Sequence, residues 1–253
     1  MIIILSPAKT LDMTALEGRA STQPILKSHA NQLVKVLKQK DEQDLKKLMS
    51  ISDKLAIENV SRFQTFKSRV SETTGKQALF TFNGDVYRGL DVASWKAKDV
   101  SFAQDHLRIL SGLYGVLRPL DKMQPYRLEM GTKLKTDRGN HLYDFWGDKV
   151  TQEINKAFKP RSKKLLINLA SEEYAKVINR DKLKADELIL NFKEYKGDKL
   201  RFVSFTAKVA RGMMAKYIIQ NRIKNPEDIK GFDVDGYSYA EDLSTDREWL
   251  FIR

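Results

Sequence analysis

Strand-like and helix-like segments interleave along the whole chain, and nothing parts them: there is no internal repeat, no low-complexity tract and no linker rich in Gly, Pro and Ser. Such interleaving argues against a helical bundle or a sandwich. It predicts an α/β (mixed α+β) fold with a mixed sheet and flanking helices. With 253 residues, 42% of them hydrophobic, the chain is long enough to bury most of its apolar surface in a single compact domain, residues 1–253.

The local signals are these. Ile2–Leu5 reads as a buried strand ended by Ser6-Pro7, because proline cannot continue a central ladder; Lys9 and Asp12 then fall in the loop beyond its carboxyl end. Residues 24–70 carry helical spacing, with Ile25, His29, Leu33, Val36 and Leu37 on one face, and predict a helical subdomain of two or three amphipathic helices acting as scaffold. Ala78–Phe82 reads as a strand running into a turn at Asn83-Gly84-Asp85. A helix follows Phe102 to about Arg108. Leu165–Leu169 is a short apolar strand, with a capped helix start at Ser171. Residues 187–195 and 199–205 predict a hairpin around Gly197-Asp198, residues 206–223 a helix, and Trp249–Ile252 a closing strand.

Charge and composition narrow the function classes. The net charge is +12, but residues 226–253 hold eight acids and three bases, so residues 1–225 carry +17. A surplus of that size draws polyanions or phosphorylated ligands, or simply keeps a lysine-rich surface soluble. The absence of cysteine removes disulfides, thiolate metal sites and cysteine nucleophiles, and fits the reducing cytoplasm. His29, His106 and His141 are not spaced to anchor a metal, so none is expected. Apolar runs such as Ile2–Leu5 fall far short of the roughly 20 residues of a membrane helix, and the amino terminus lacks the pattern of a secretory leader. No membrane contact and no cofactor are expected.

Four segments could carry chemistry. In the helix beginning near Thr206, Lys208 and Arg211 fall in what reads as the first turn, where the macrodipole disfavours cations unless an anion lies nearby. They lie three residues apart, on a face with Gly212 and Ala215, whose small side chains permit close approach. Together with the helix amides they form an anion site, unless acids from elsewhere pair them. Leu110–Asp121 sets Gly112 and Gly115 around Leu113 and Tyr114, with Arg118 following. This is a hairpin signal of the kind that offers backbone N–H groups to phosphates, although the usual helix-hairpin-helix turn spaces its glycines two apart; a plain buried turn is the other reading. In Pro125–Thr132, Arg127 and Glu129 point to one side if the segment is extended, as a salt bridge or as a ligand clamp with a general acid/base. Asp85, Tyr87, Asp144, Trp146, Asn168 and Ser171 sit at element ends, each singly a cap or a packing residue. No phosphate-binding P-loop, dinucleotide fingerprint, zinc-protease motif or nucleophile elbow occurs.

In this order, Ser6–Asp12, Phe82–Leu90, Leu110–Asp121, Pro125–Thr132, Leu142–Trp146, Ile167–Ser171 and Ser204–Met214 resemble the motifs of the bacterial YaaA family of peroxide stress resistance proteins, over nearly the whole chain. The resemblance implies a cytosolic protein that limits intracellular iron and the oxidative damage iron promotes. It also implies binding of double-stranded or structurally distorted DNA through a basic cleft and a helix-hairpin-helix element. Carried over, that element falls on residues 101–121 with Gly112, Tyr114, Gly115 and Arg118 at the hairpin; Lys9, Arg127, Lys208 and Arg211 line the cleft, with Asp85 and Glu129 as its acids.

Two functions therefore compete. One is a DNA-binding protein of the oxidative-stress response with little sequence preference. The other is an enzyme acting on a nucleotide or other phosphorylated small molecule, with Lys208 and Arg211 on phosphate, Arg127 and Lys9 orienting the ligand, and Asp85 or Glu129 as catalytic candidates moving protons. A recess too narrow for a duplex would favour the second.

Overall fold

Three short strands rich in aliphatic residues, all buried, lie side by side in the main sheet. The computed structural model describes residues 1–15, 18, 20–71, 74–160 and 163–253, and its main sheet has eight strands: β1 (Ile2–Leu5), β2 (Leu107–Ser111), β3 (Gly115–Leu117), β4 (Leu165–Leu169), β5 (Asp186–Lys196), β6 (Lys199–Arg201), β7 (Ser238–Tyr239) and β8 (Glu248–Ile252). Their order is β7-β8-β5-β4-β1-β2-β3, with β6 pairing β5. The central pairs are parallel, with Ile3 opposite Leu107 and Ile167, Ile167 opposite Leu188, and Phe192 opposite Phe251. The β2–β3, β5–β6 and β7–β8 pairs are antiparallel, so the sheet is mixed. Every residue of β1, β2 and β4 is buried. That is why these strands read as continuous apolar runs rather than alternating ones: both faces of a parallel sheet are covered.

Helices α1 (Lys27–Leu37), α2 (Glu42–Met49) and α3 (Asp53–Thr65) fill the segment expected to be helical. Asp41 accepts a hydrogen bond from the Asp44 amide (2.8 Å) to start α2, and Ser52 plays the same part for α3 through the Leu55 amide. The buried face of α1 is Ala30, Leu33, Val34 and Leu37. Ile25 remains 41% exposed while Leu26 is buried, so the apolar face lies about one residue from the one expected.

Two other expectations need correction. Ala78–Thr81 is a short helix, and the extended part is only Phe82–Asn83, paired with Thr10–Leu11. The Ala78 and Leu79 amides donate to Asp121 O and Pro119 O, and Thr81 Oγ1 donates back to Gln77 O (2.8 Å), which curls this segment instead of adding it to a sheet. Residues 101–121 do not form a helix-hairpin-helix. The helix α4 covers Asp85–Leu90 and α5 covers Ala97–His106; the latter passes straight into the β2–β3 hairpin, where Gly115 takes φ +68° at the turn. Leu107, Ile109, Leu110, Val116 and Leu117 are each at most 1% exposed, and that aliphatic burial in the sheet decides the strand conformation.

After α6 (Lys149–Ala157) the longest helix is α7 (Ser204–Gln220). It crosses α4 backbone to backbone. A Cβ on Gly89 would lie 2.0 Å from Val209 O, and one on Gly212 would lie 1.9 Å from Val86 O; only glycine fits at either point. This reciprocal contact sets the start of α4 against the middle of α7 and thereby builds one wall of the site.

Candidate anion-binding site

β1 is flanked by β2 on one side and β4 on the other. The chain travels from β1 first to one flank and later to the other, so a crevice opens beyond the carboxyl ends of these strands, the usual ligand position in parallel sheets. Pro7 stops β1, and the strand ends are tied together: the Ser171 amide donates to Ser6 Oγ (2.8 Å), the two hydroxyls lie 3.3 Å apart, and Tyr87 Oη donates to Ser6 O (3.2 Å). The crevice is a cavity of about 350 Å³ whose lining includes Lys9, Asp85, Glu129, Glu173, Lys208 and Arg211.

The charges in it are unequally satisfied. Lys9 Nζ lies 2.6 Å from Glu129 Oε2, and Arg127 reaches the other oxygen of the same carboxylate at 3.6 Å. Glu173 accepts the Gly131 amide (3.0 Å). Among the described residues, Lys208 and Arg211 have no carboxylate partner and Asp85 has no cation. Arg211 is the unusual one. Its Nε is buried without a hydrogen-bond partner, as are those of Arg108 and Arg127, but the rest of its guanidinium also has no hydrogen bond or ion pair among the described residues, and burial pulls its pKa below the ordinary arginine value. Arg108, held at about 10 chiefly by burial, shows the alternative, because its Nη1 donates to the carbonyls of Gln104 and Leu107. A guanidinium without such acceptors is a fixed, partly dehydrated cation ready for an anion.

The lining itself is close to balanced, three cations against three carboxylates. The surplus positive charge of the chain is therefore not concentrated here. What marks the site is that two of its cations are uncommitted. Nor do helix amides supply it: α7 begins at Ser204, so Lys208 lies in the second turn and Arg211 about one turn further. Side chains of the helix flank, rather than its first-turn N–H groups, face the cavity.

The chain matches the family described as Peroxide stress protein YaaA over residues 1–243. It belongs to that family. Similar proteins include a UPF0246 protein of Hahella chejuensis, 51% identical over 254 residues that cover all of this chain and 99% of the relative. Another, from Caulobacter vibrioides, is 50% identical with the same coverage, and one from Janthinobacterium sp. is 47% identical, covering 98% of the relative. Membership in the YaaA family supports a role in peroxide stress.

In this YaaA-family chain the remaining expected site residues lie elsewhere. Gly112, Tyr114 and Gly115 are buried. The carbonyl of Gly112 accepts Trp146 Nε1 (3.0 Å), a Cβ on Gly112 would meet Leu128 O at 2.2 Å, and Tyr114 Oη accepts the Gln124 amide (3.0 Å). The turn is a packed interior corner and offers no amides to a phosphate backbone. Arg118 is paired with Asp121 (2.9 Å) and donates to Gln23 O (3.1 Å). Asp144 accepts the amides of Asn140 and His141, and Asn168 Oδ1 accepts that of Ala170 (3.0 Å); both are local caps. Ser6, Glu173 and Tyr174 line the cavity without having been expected there. Their signal was position: Ser6 directly follows β1, and Glu173 and Tyr174 lie in the short helix Glu172–Ala175 just beyond β4. No described helix is long and apolar enough to cross a membrane.

Proposed function

We propose that the protein acts in peroxide stress by binding a small phosphorylated compound in this cavity and acting on it there. Lys208 and Arg211, the two uncommitted cations, hold the phosphate, and the Arg211 guanidinium, with its Nε buried and no hydrogen bond or ion pair among the described residues, is the observation that carries the reading. Lys9, anchored by Glu129, orients the ligand. Asp85, which starts α4 and has no ion-pair partner among the described residues, is the group free to move a proton, whereas Glu129 is occupied by Lys9 and Arg127. A recess of about 350 Å³ suits a small molecule and is too confined for a duplex. Among the described residues no three His, Asp or Glu gather to hold a metal; on this reading any lowering of cellular iron is an indirect effect of the activity.

Titration calorimetry with inorganic phosphate tests the reading: saturable binding that disappears in Lys208→Ala and in Arg211→Met is expected, and binding that survives both substitutions would refute it. DNA binding remains a second reading, favoured by the +17 carried by residues 1–225. On that reading duplex DNA lies across the exterior lysines, with affinity falling steeply as salt rises and indifferent to Arg211→Met. No binding at low ionic strength would remove it.

A further inference from the structure

The short antiparallel pair Thr10–Leu11 with Phe82–Asn83 forms one border of the anion site, and a second cavity lies against the same border. It measures about 600 Å³, and its lining includes Phe80, Phe82, Trp95, Lys76 and Arg88, with Asn83 bordering both cavities. The two compartments differ in chemistry. The first presents fixed charges. The second presents aromatic walls: Trp95 is half-buried and held by its Nε1, which donates to Leu90 O (2.9 Å), and the Phe82 and Tyr87 rings pack 5.4 Å apart. Lys76 is spoken for by Asp12, through O at 2.9 Å and Oδ2 at 3.4 Å. Asn83 is not. Its side chain is exposed and makes no hydrogen bond among the described residues, while its backbone is fixed by pairing with Thr10.

A carboxamide that donates and accepts side by side matches the adjacent donor and acceptor on the edge of a nucleobase, and the half-buried rings of Trp95 and Phe80 supply the stacking surface a flat heterocycle needs. Arg88, 5.5 Å over the Phe205 ring, adds a cation at the open rim. Neither a simple sugar phosphate nor inorganic phosphate would use these walls. Resting on the phosphate reading above, we propose that the second compartment receives the base of a nucleotide whose phosphate is held by Lys208 and Arg211, with Asn83 reading the base edge.

Titration calorimetry on the full chain, with the four ribonucleosides, their 5′-monophosphates, ribose 5-phosphate and inorganic phosphate as probes, separates the two compartments. At least one nucleotide is expected to bind about tenfold or more tighter than ribose 5-phosphate, a factor worth about 1.4 kcal/mol and within reach of stacking a single base. Trp95→Leu is expected to erase that advantage while leaving the affinity for inorganic phosphate within about twofold. Asn83→Ala, at an exposed position, gives the same comparison if the tryptophan variant folds poorly. The proposal is overturned if every nucleotide binds no tighter than ribose 5-phosphate, or if the substitutions weaken phosphate and nucleotide equally. Nucleotide binding without phosphate binding would keep the base compartment and remove the phosphate reading; failure of every probe would remove both.

Discussion

Replacing Arg211 by methionine should make the protein more stable and less able to bind. Arg211 is half-buried on α7 and lines the cavity, and methionine keeps most of the volume of its aliphatic stem. What disappears is a partly dehydrated cation whose Nε is buried without an acceptor. A buried donor left unsatisfied costs about 1–3 kcal/mol, and in a chain of this size each kcal/mol moves the melting temperature by about 2–4 °C. In phosphate-free buffer the variant should therefore melt roughly 2–12 °C above the wild type in differential scanning calorimetry. Phosphate reverses the comparison. At a hundredfold excess over Kd, a ligand that binds only the native state stabilises by about 2.7 kcal/mol, so the wild type should gain several degrees and the variant none. Two results would refute the reasoning: a variant that melts below the wild type without phosphate, which would mean Arg211 contributes to the fold, or an equal phosphate shift in both proteins.

Gly212→Ala and Gly89→Ala should each destabilise by about 3 kcal/mol or more, since the new methyl meets a carbonyl at the α4–α7 crossing; an unchanged urea midpoint in both would show that the helices part easily. Trp146→Phe leaves the Gly112 carbonyl without its donor, and about 1–3 kcal/mol should be lost in the same measurement. Glu194 is lowered to about 2, first by its hydrogen bond with Lys196 and then, against burial, by Arg253. A carboxyl whose native pKa is depressed stabilises above the unfolded value and loses that contribution as pH falls, so stability should decline from about pH 4.5 towards pH 2. Glu194→Gln should flatten that decline in acid titrations followed by circular dichroism, and an unaltered acid limb would contradict it.

Much of the architecture is legible in the residues because burial on both faces writes unbroken apolar runs: Ile2–Leu5 and Leu165–Leu169 announce the parallel centre without further help. Long-range packing is what the linear pattern hides. Leu107–Leu117 contains helix-compatible leucines and becomes a hairpin because β1 waits beside Leu107 and Arg108 to be paired. Ala78–Thr81, apolar and short, is curled by carbonyls some forty residues away. The site divides in the same way. Lys9, Asp85, Glu129, Lys208 and Arg211 meet at one cavity, Lys208 and Arg211 from the flank of α7 and not from its start, yet Gly112, Tyr114 and Gly115 are interior although glycines in a turn look alike whether they face water or a tryptophan. Gly212 could be read as a place of close approach; that the approaching backbone is α4 and not a ligand depends on Gly89, 123 residues earlier in the sequence.

The most direct test of the central claim is crystallographic. Crystals soaked in tungstate, a heavy tetrahedral anion that stands in for phosphate, should show an anomalous peak in the crevice beyond β1 and β4, within hydrogen-bonding distance of both Lys208 and Arg211. Tungstate bound only to exterior lysines, with the crevice empty and Arg211 facing a carboxylate, would contradict the account.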